Sequence, residues 1–168
     1  LMLPSEWTLV ARDAFNGTVL WKRPLPSWHP HLWPMKSGFA QLPRRLVAVG
    51  NRVYVPLGME APLTCLDAAT GDVVRTYEGT AATEEVLASD GVLFVLSNPD
   101  GSIHEDFQPA FKNRMWDAMK RAAGGWPWDG KARVLLAIDA ASGRTLWRRE
   151  ETVVPLSLAA AGNRVVFH

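Results

Sequence analysis

The chain has 168 residues, 48% of them hydrophobic and 21% charged, an ordinary composition for one globular core. A formal net charge of +1 excludes the clustered excess of Lys and Arg that a nucleic-acid or anionic-membrane footprint requires. No apolar run reaches the roughly 18 residues of a transmembrane segment, and the single cysteine, Cys65, excludes an internal disulfide.

The first predicted element, over residues 7–23, is a pair of strands. Ala11-Arg12-Asp13-Ala14-Phe15-Asn16-Gly17-Thr18-Val19-Leu20-Trp21 holds an apolar run, a turn and a second run that ends in Trp. Asp13 is placed to accept N–H bonds from the turn, and Gly17 to supply the positive φ that closes a type I turn with a bulge. The pattern returns at Ala137-Ile138-Asp139-Ala140-Ala141-Ser142-Gly143-Arg144-Thr145-Leu146-Trp147. Cys65-Leu66-Asp67-Ala68-Ala69-Thr70-Gly71-Asp72-Val73-Val74-Arg75 is a third copy, with Cys for the first Ala and Arg for the Trp. Three copies define an internal repeat, hence stacked supersecondary units. The repeat residues are Asp13, Gly17 and Trp21, then Asp67 and Gly71, then Asp139, Gly143 and Trp147. Each Trp is positioned to bury roughly 150–250 Å² against a neighbouring unit. Cys65, at the place of Ala11 and Ala137, reads as a small buried apolar residue.

Residues 24–45 form an insertion rich in Pro and Trp. Its Trp28, His29, His31 and Trp33 have two readings. The two His suit a shared metal, with the Trp rings shielding it, but no carboxylate or Cys is near to complete a ligand set. The other reading is a Pro-stiffened loop laying its aromatics on the body of the protein. Next comes a full unit over 45–77, opened by Leu46-Val47-Ala48-Val49-Gly50-Asn51-Arg52-Val53-Tyr54-Val55, two apolar runs around a Gly-Asn turn. Val86 to Val95, around Asp90-Gly91, and Leu158 to Phe167, around Gly162-Asn163, repeat that hairpin. One unit is therefore two hairpins, or four antiparallel strands.

The second full unit covers 84–149 and is interrupted over 98–131. Glu84-Glu85 and Arg148-Arg149-Glu150-Glu151 read as solvated strand ends. Within the interruption, Phe111, Met115, Trp116 and Met119 recur at three- and four-residue steps, the period of an amphipathic helix, with Gly124-Gly125 to end it. Trp116, Trp126 and Trp128 join the loop Trp residues as candidate interaction groups. Asp100, Glu105 and Asp106 offer oxygen ligands for Ca²⁺ but lack the spacing of an EF-hand, so a solvated turn is the alternative. A half unit over 155–168 ends the chain. The start without Met and the end inside a strand pair lead us to expect a piece of a longer protein.

A four-stranded unit with one apolar face must stack on its like, and radial stacking gives a β-propeller. The run Ala-x-Asp-x-x-(Thr/Ser)-Gly-x-x-x-Trp, preceded by Gly-Asn-Arg-Val-Tyr-Val, resembles the repeat of the pyrroloquinoline-quinone-like propellers, which include quinoprotein dehydrogenases and outer-membrane-assembly propeller lipoproteins. The resemblance implies an all-β fold of PQQ-like blades, about three blades' worth of strands with a short helical insertion. It implies a docking role between blades for Trp21 and Trp147, and the bacterial cell envelope as compartment. The dehydrogenases of that superfamily use PQQ, Ca²⁺, a catalytic Asp and often a pair of adjacent Cys. This chain has no Cys pair, and Asp13, Asp67 and Asp139 belong to the repeat.

No Gly-x-Ser-x-Gly and no glycine-rich phosphate loop is present, so no catalytic, cofactor or metal residue is assigned. The expected function is a non-catalytic propeller scaffold for protein–protein interaction. The alternative is a fragment of a quinone-dependent oxidoreductase whose PQQ and Ca²⁺ site lies in absent blades or across chains. The repeat phase leaves complementary half units at the two ends, so two chains closing a six-bladed ring in trans is a further expectation.

Overall fold

The structure, a computed structural model, describes residues 8–26, 42–58, 60–100, 131–154, 156–162 and 164–168. The Trp28, His29, His31 and Trp33 loop, the expected helix, Glu105, Asp106, Trp116, Trp126 and Trp128 lie outside the described residues.

The fold is all-β, built of antiparallel sheets that form propeller blades. Strands β1 (Thr8–Arg12) and β2 (Val19–Pro24) make a two-stranded sheet. The second sheet runs in the order β3 (Val47–Val49), β4 (Arg52–Pro56), β5 (Leu63–Asp67), β6 (Val73–Thr76). The third has the order β7 (Thr83–Ser89), β8 (Val92–Ser97), β9 (Arg133–Asp139), β10 (Thr145–Glu151). The last pairs β11 (Ala159–Ala161) with β12 (Arg164–Val166). A 3₁₀ turn, Leu42–Arg45, precedes β3.

The turns follow from their residues. Asp13, Asp67 and Asp139 each accept, on the backbone oxygen, a bond from the Gly N–H four residues on, at 2.8 to 2.9 Å. The Asp67 carboxylate also accepts the N–H groups of Ala69 and Thr70, and that of Asp139 accepts Ser142 N–H and Oγ–H. These bonds hold both carboxyls below the usual range, those from Ala69 leading at Asp67 and that from the Ser142 hydroxyl at Asp139. Gly17, Gly71 and Gly143 have φ of +74°, +76° and +78°, and each hairpin carries a register shift beside its turn, the bulge expected for this closure.

Period-two alternation sends one face of each central strand to each neighbouring sheet. Tyr54, Leu63, Cys65 and Tyr77 of the second sheet pack with Val86, Leu93, Val95, Val134, Leu136 and Ile138 of the third. Burial raises the Cys65 thiol, so Cys65 is a core residue of low reactivity. The opposite face of the third sheet offers Leu96 and Leu135 to Val153, Leu158 and Val165. The outer strands β6 and β10 are exposed almost throughout.

One expectation is corrected. Glu84 and Glu85 are not solvated: they are 7% and 1% exposed. Glu84 takes Arg133 Nε–H at 2.8 Å and the Asn98 amide at 3.2 Å. Glu85 takes Arg44 at 3.0 Å and Leu156 N–H at 2.9 Å. Both lie at the innermost end of β7, where the 3₁₀ turn covers them, so pairing replaces the hydration that the dipeptide would have at a free strand end.

Candidate functional site

Trp21, Gly71 and Gly143 of the repeat lie at seams between sheets. At the first seam, Trp21 of β2 donates its Nε1–H to Ala68 O at 2.9 Å, and Arg23 Nη2 donates to Gly71 O at 2.7 Å. The indole lies so close over Gly71 that a Cβ there would sit 2.6 Å from Trp21 Cδ2. Gly71 is therefore needed twice, for its φ and for the ring's approach.

The second seam repeats this geometry with different atoms. Arg75 stands at the Trp position of β6, and its guanidinium donates to Ser142 O. A Cβ on Gly143 would lie 2.5 Å from Arg75 Nη1 and 2.9 Å from its Cδ. The flat guanidinium thus covers Gly143 as the indole covers Gly71. Deeper in the seam, the hydroxyl of buried Tyr77 donates to Ala140 O at 2.9 Å. Sequence reading marked Arg75 as a departure from the repeat; the signal that identifies its role is its position, eight residues after Asp67 as Trp21 is after Asp13.

A third seam joins the last two sheets at their inner strands. Arg44 Nη1 bridges Glu85 Oε1 and Leu158 O, both at 3.0 Å. Ser89 Oγ–H donates to Gly162 O at 3.3 Å. Burial raises the Glu85 carboxyl, opposed by Arg44 and the Leu156 and Leu158 amides. Burial likewise pulls the guanidinium of Arg45 down to about 10.

Two halves of the seam pattern have no counterpart among the described residues. Trp147 on β10 is 37% exposed and packs beside the Phe94 ring, with centroids 6.1 Å apart. The Asp13–Gly17 turn is uncovered: Phe15 is fully exposed and nothing lies within 4 Å of a Cβ placed on Gly17. One is a docking side chain without a turn; the other is a turn without a docking side chain.

A family model described as outer membrane protein assembly factor BamB matches residues 5–168. The chain belongs to this family. A search of curated proteins finds no match. Within this chain Asp13, Gly17, Asp67, Gly71, Asp139 and Gly143 form turns, and Trp21 docks at a seam. Asp100 faces Lys131 at 3.5 Å on the surface. Among the described residues, no three His, Cys, Asp or Glu side chains group so as to hold a metal ion. No described helix is long and apolar enough to cross a membrane.

Proposed function

We propose that this chain is a non-catalytic β-propeller scaffold for protein–protein interaction, serving outer-membrane protein assembly in the cell envelope. The observation that supports this reading is the use of the repeat residues. Asp13, Asp67 and Asp139 are engaged in their turns, and Trp21 and Arg75 in seams, so the repeated side chains serve architecture. The outer strands meanwhile present Leu20, Val73, Val74 and Leu146 to solvent. The Trp28, His29, His31 and Trp33 loop, with Trp116, Trp126 and Trp128, supplies further partner-binding groups, since aromatic side chains are favoured anchors at interfaces.

The test places a photo-cross-linking residue at Trp28 or Trp116 in cells that express the chain. Cross-links to a protein other than the chain itself are expected at one or both positions, and none at exposed Glu78. The oxidoreductase alternative is read in the purified chain supplied with PQQ and Ca²⁺. A bound-quinone absorption band with Ca²⁺-dependent oxidation of an alcohol, and no cross-linked partner, overturns the scaffold reading.

A further inference from the structure

Two long connections interrupt the succession of strands, residues 25–46 between β2 and β3 and residues 98–132 between β8 and β9. We infer that Glu84 and Glu85, at the start of β7, tie both connections into one buried charge network, so that loosening the attachment of either loosens the other. This goes beyond the scaffold reading by adding a conformational link between the two attachments.

Strand direction brings the attachments together. Thr83 of β7 pairs with Ser97 at the end of β8, and Ser97 pairs with Val134 near the start of β9. The second connection therefore leaves and returns beside the first residues of β7. The 3₁₀ turn Leu42–Arg45, near the end of the first connection, packs on both β7 and β4. Between Thr83 and Glu85 the ladder shifts register and leaves Glu84 as an extra residue. A bulge of this kind re-aims the side chains beside it and frees the extra residue from the ladder.

The two carboxylates take different partners. Glu85 serves the first connection, with Oε1 accepting Arg44 Nη1–H at 3.0 Å and Oε2 accepting Leu156 N–H at 2.9 Å. Glu84 serves both ends of the second, with Oε1 accepting the Asn98 amide at 3.2 Å and Oε2 accepting Arg133 Nε–H at 2.8 Å. Arg45 joins the two sets. It follows Arg44 directly and is buried, and the Glu84 and Glu60 carboxylates oppose the effect of that burial on its guanidinium. The Glu84 carboxylate thus acts on the 3₁₀ turn of one connection and on both flanks of the other. Among buried charges, removing one member leaves its counter-charge desolvated and poorly compensated, a penalty relieved only by movement of the rest. Glu84 is the member free to move, and one peptide unit carries a change at Glu85 to it.

Hydrogen exchange followed by mass spectrometry on the full 168-residue chain tests the link. Arg44→Gln removes a charge at the first attachment and is read at the second, in peptides covering residues 98–100 and 131–133. Exchange there should quicken about tenfold, the order expected when a charge-assisted bond to a buried group is lost. Asn98→Ala strips one bond from Glu84 and should quicken exchange at residues 42–46 in turn. Arg44→Lys keeps a cationic donor and should hold the second attachment near its original rate. Asp100→Asn breaks the exposed pair with Lys131, 3.5 Å apart across the same connection but away from Glu84, and should leave residues 42–46 unchanged. Exchange in β4 and β5 should stay constant in every variant. Acceleration confined to the mutated attachment, an equal acceleration in β4 and β5, or a response to Asp100→Asn as large as that to Asn98→Ala overturns the link. Should Arg44→Gln fail to fold, Asn98→Ala decides alone, and its lack of effect at residues 42–46 overturns the link. The scaffold reading is tested separately, by cross-links to other proteins.

Discussion

Gly17 and Gly71 share one backbone conformation, with φ of +74° and +76°, and differ only in what lies above them. Alanine at Gly17 meets open space and costs only the left-handed backbone strain, about 1 kcal/mol. Alanine at Gly71 adds a methyl group 2.6 Å from the indole of Trp21, and must displace a ring held by its bond to Ala68 O. We expect Gly71→Ala to cost about 3 kcal/mol by summing strain and overpacking. Urea unfolding of the two variants checks the difference, and equal losses would mean that the indole does not depend on Gly71. The Asp and Gly of these turns were legible in the sequence because a tight turn is specified by four or five adjacent residues. The matching role of Arg75 was not, because it is defined by Gly143 on another sheet.

Elements show the same division between local and distant causes. The hairpins β3–β4 and β7–β8 follow from adjacent apolar runs and the dipeptides Gly50-Asn51 and Asp90-Gly91, in which Gly50, Asp90 and Gly91 have positive φ. The burial of Glu85 at the start of β7 does not follow from its neighbours. It is imposed by Arg44, from the 3₁₀ turn before the preceding sheet, and by Leu156 ahead of β11. A sequence clue was present in the opposite charges of Arg44-Arg45, just ahead of β3, and Glu84-Glu85, at the equivalent repeat positions in the first residues of β7. Because the Glu85 carboxyl is raised above its ordinary 4.5, folding favours its protonated form. Its titration therefore contributes stability that is whole below pH 4.5 and declines as pH rises through the raised value. Glu85→Gln carries no such titration. The stability of Glu85→Gln relative to the unaltered chain should thus increase from pH 4 to pH 7, measured by urea unfolding at each pH. A pH-independent difference would show that Arg44 fully offsets the desolvation of Glu85.

At the scale of the molecule, stability is graded along the row of sheets. The second and third sheets share the largest apolar cluster, whereas the first touches the second through Trp21, Arg23 and Pro26. A two-stranded hairpin is marginal alone, so β1–β2 and β11–β12 depend on what borders them. Hydrogen exchange should therefore be slowest in β4, β5, β8 and β9 and fastest in the two end hairpins. Repeat phase made these complementary ends legible; how firmly each is held depends on side chains that meet across seams. Trp21→Ala removes the indole that ties the first hairpin to the second sheet, and should speed exchange in β1 and β2 while leaving β4, β5, β8 and β9 unchanged. Exchange in β1 and β2 that does not respond to Trp21→Ala would instead mean that Arg23 and Pro26 suffice to hold the hairpin against the second sheet.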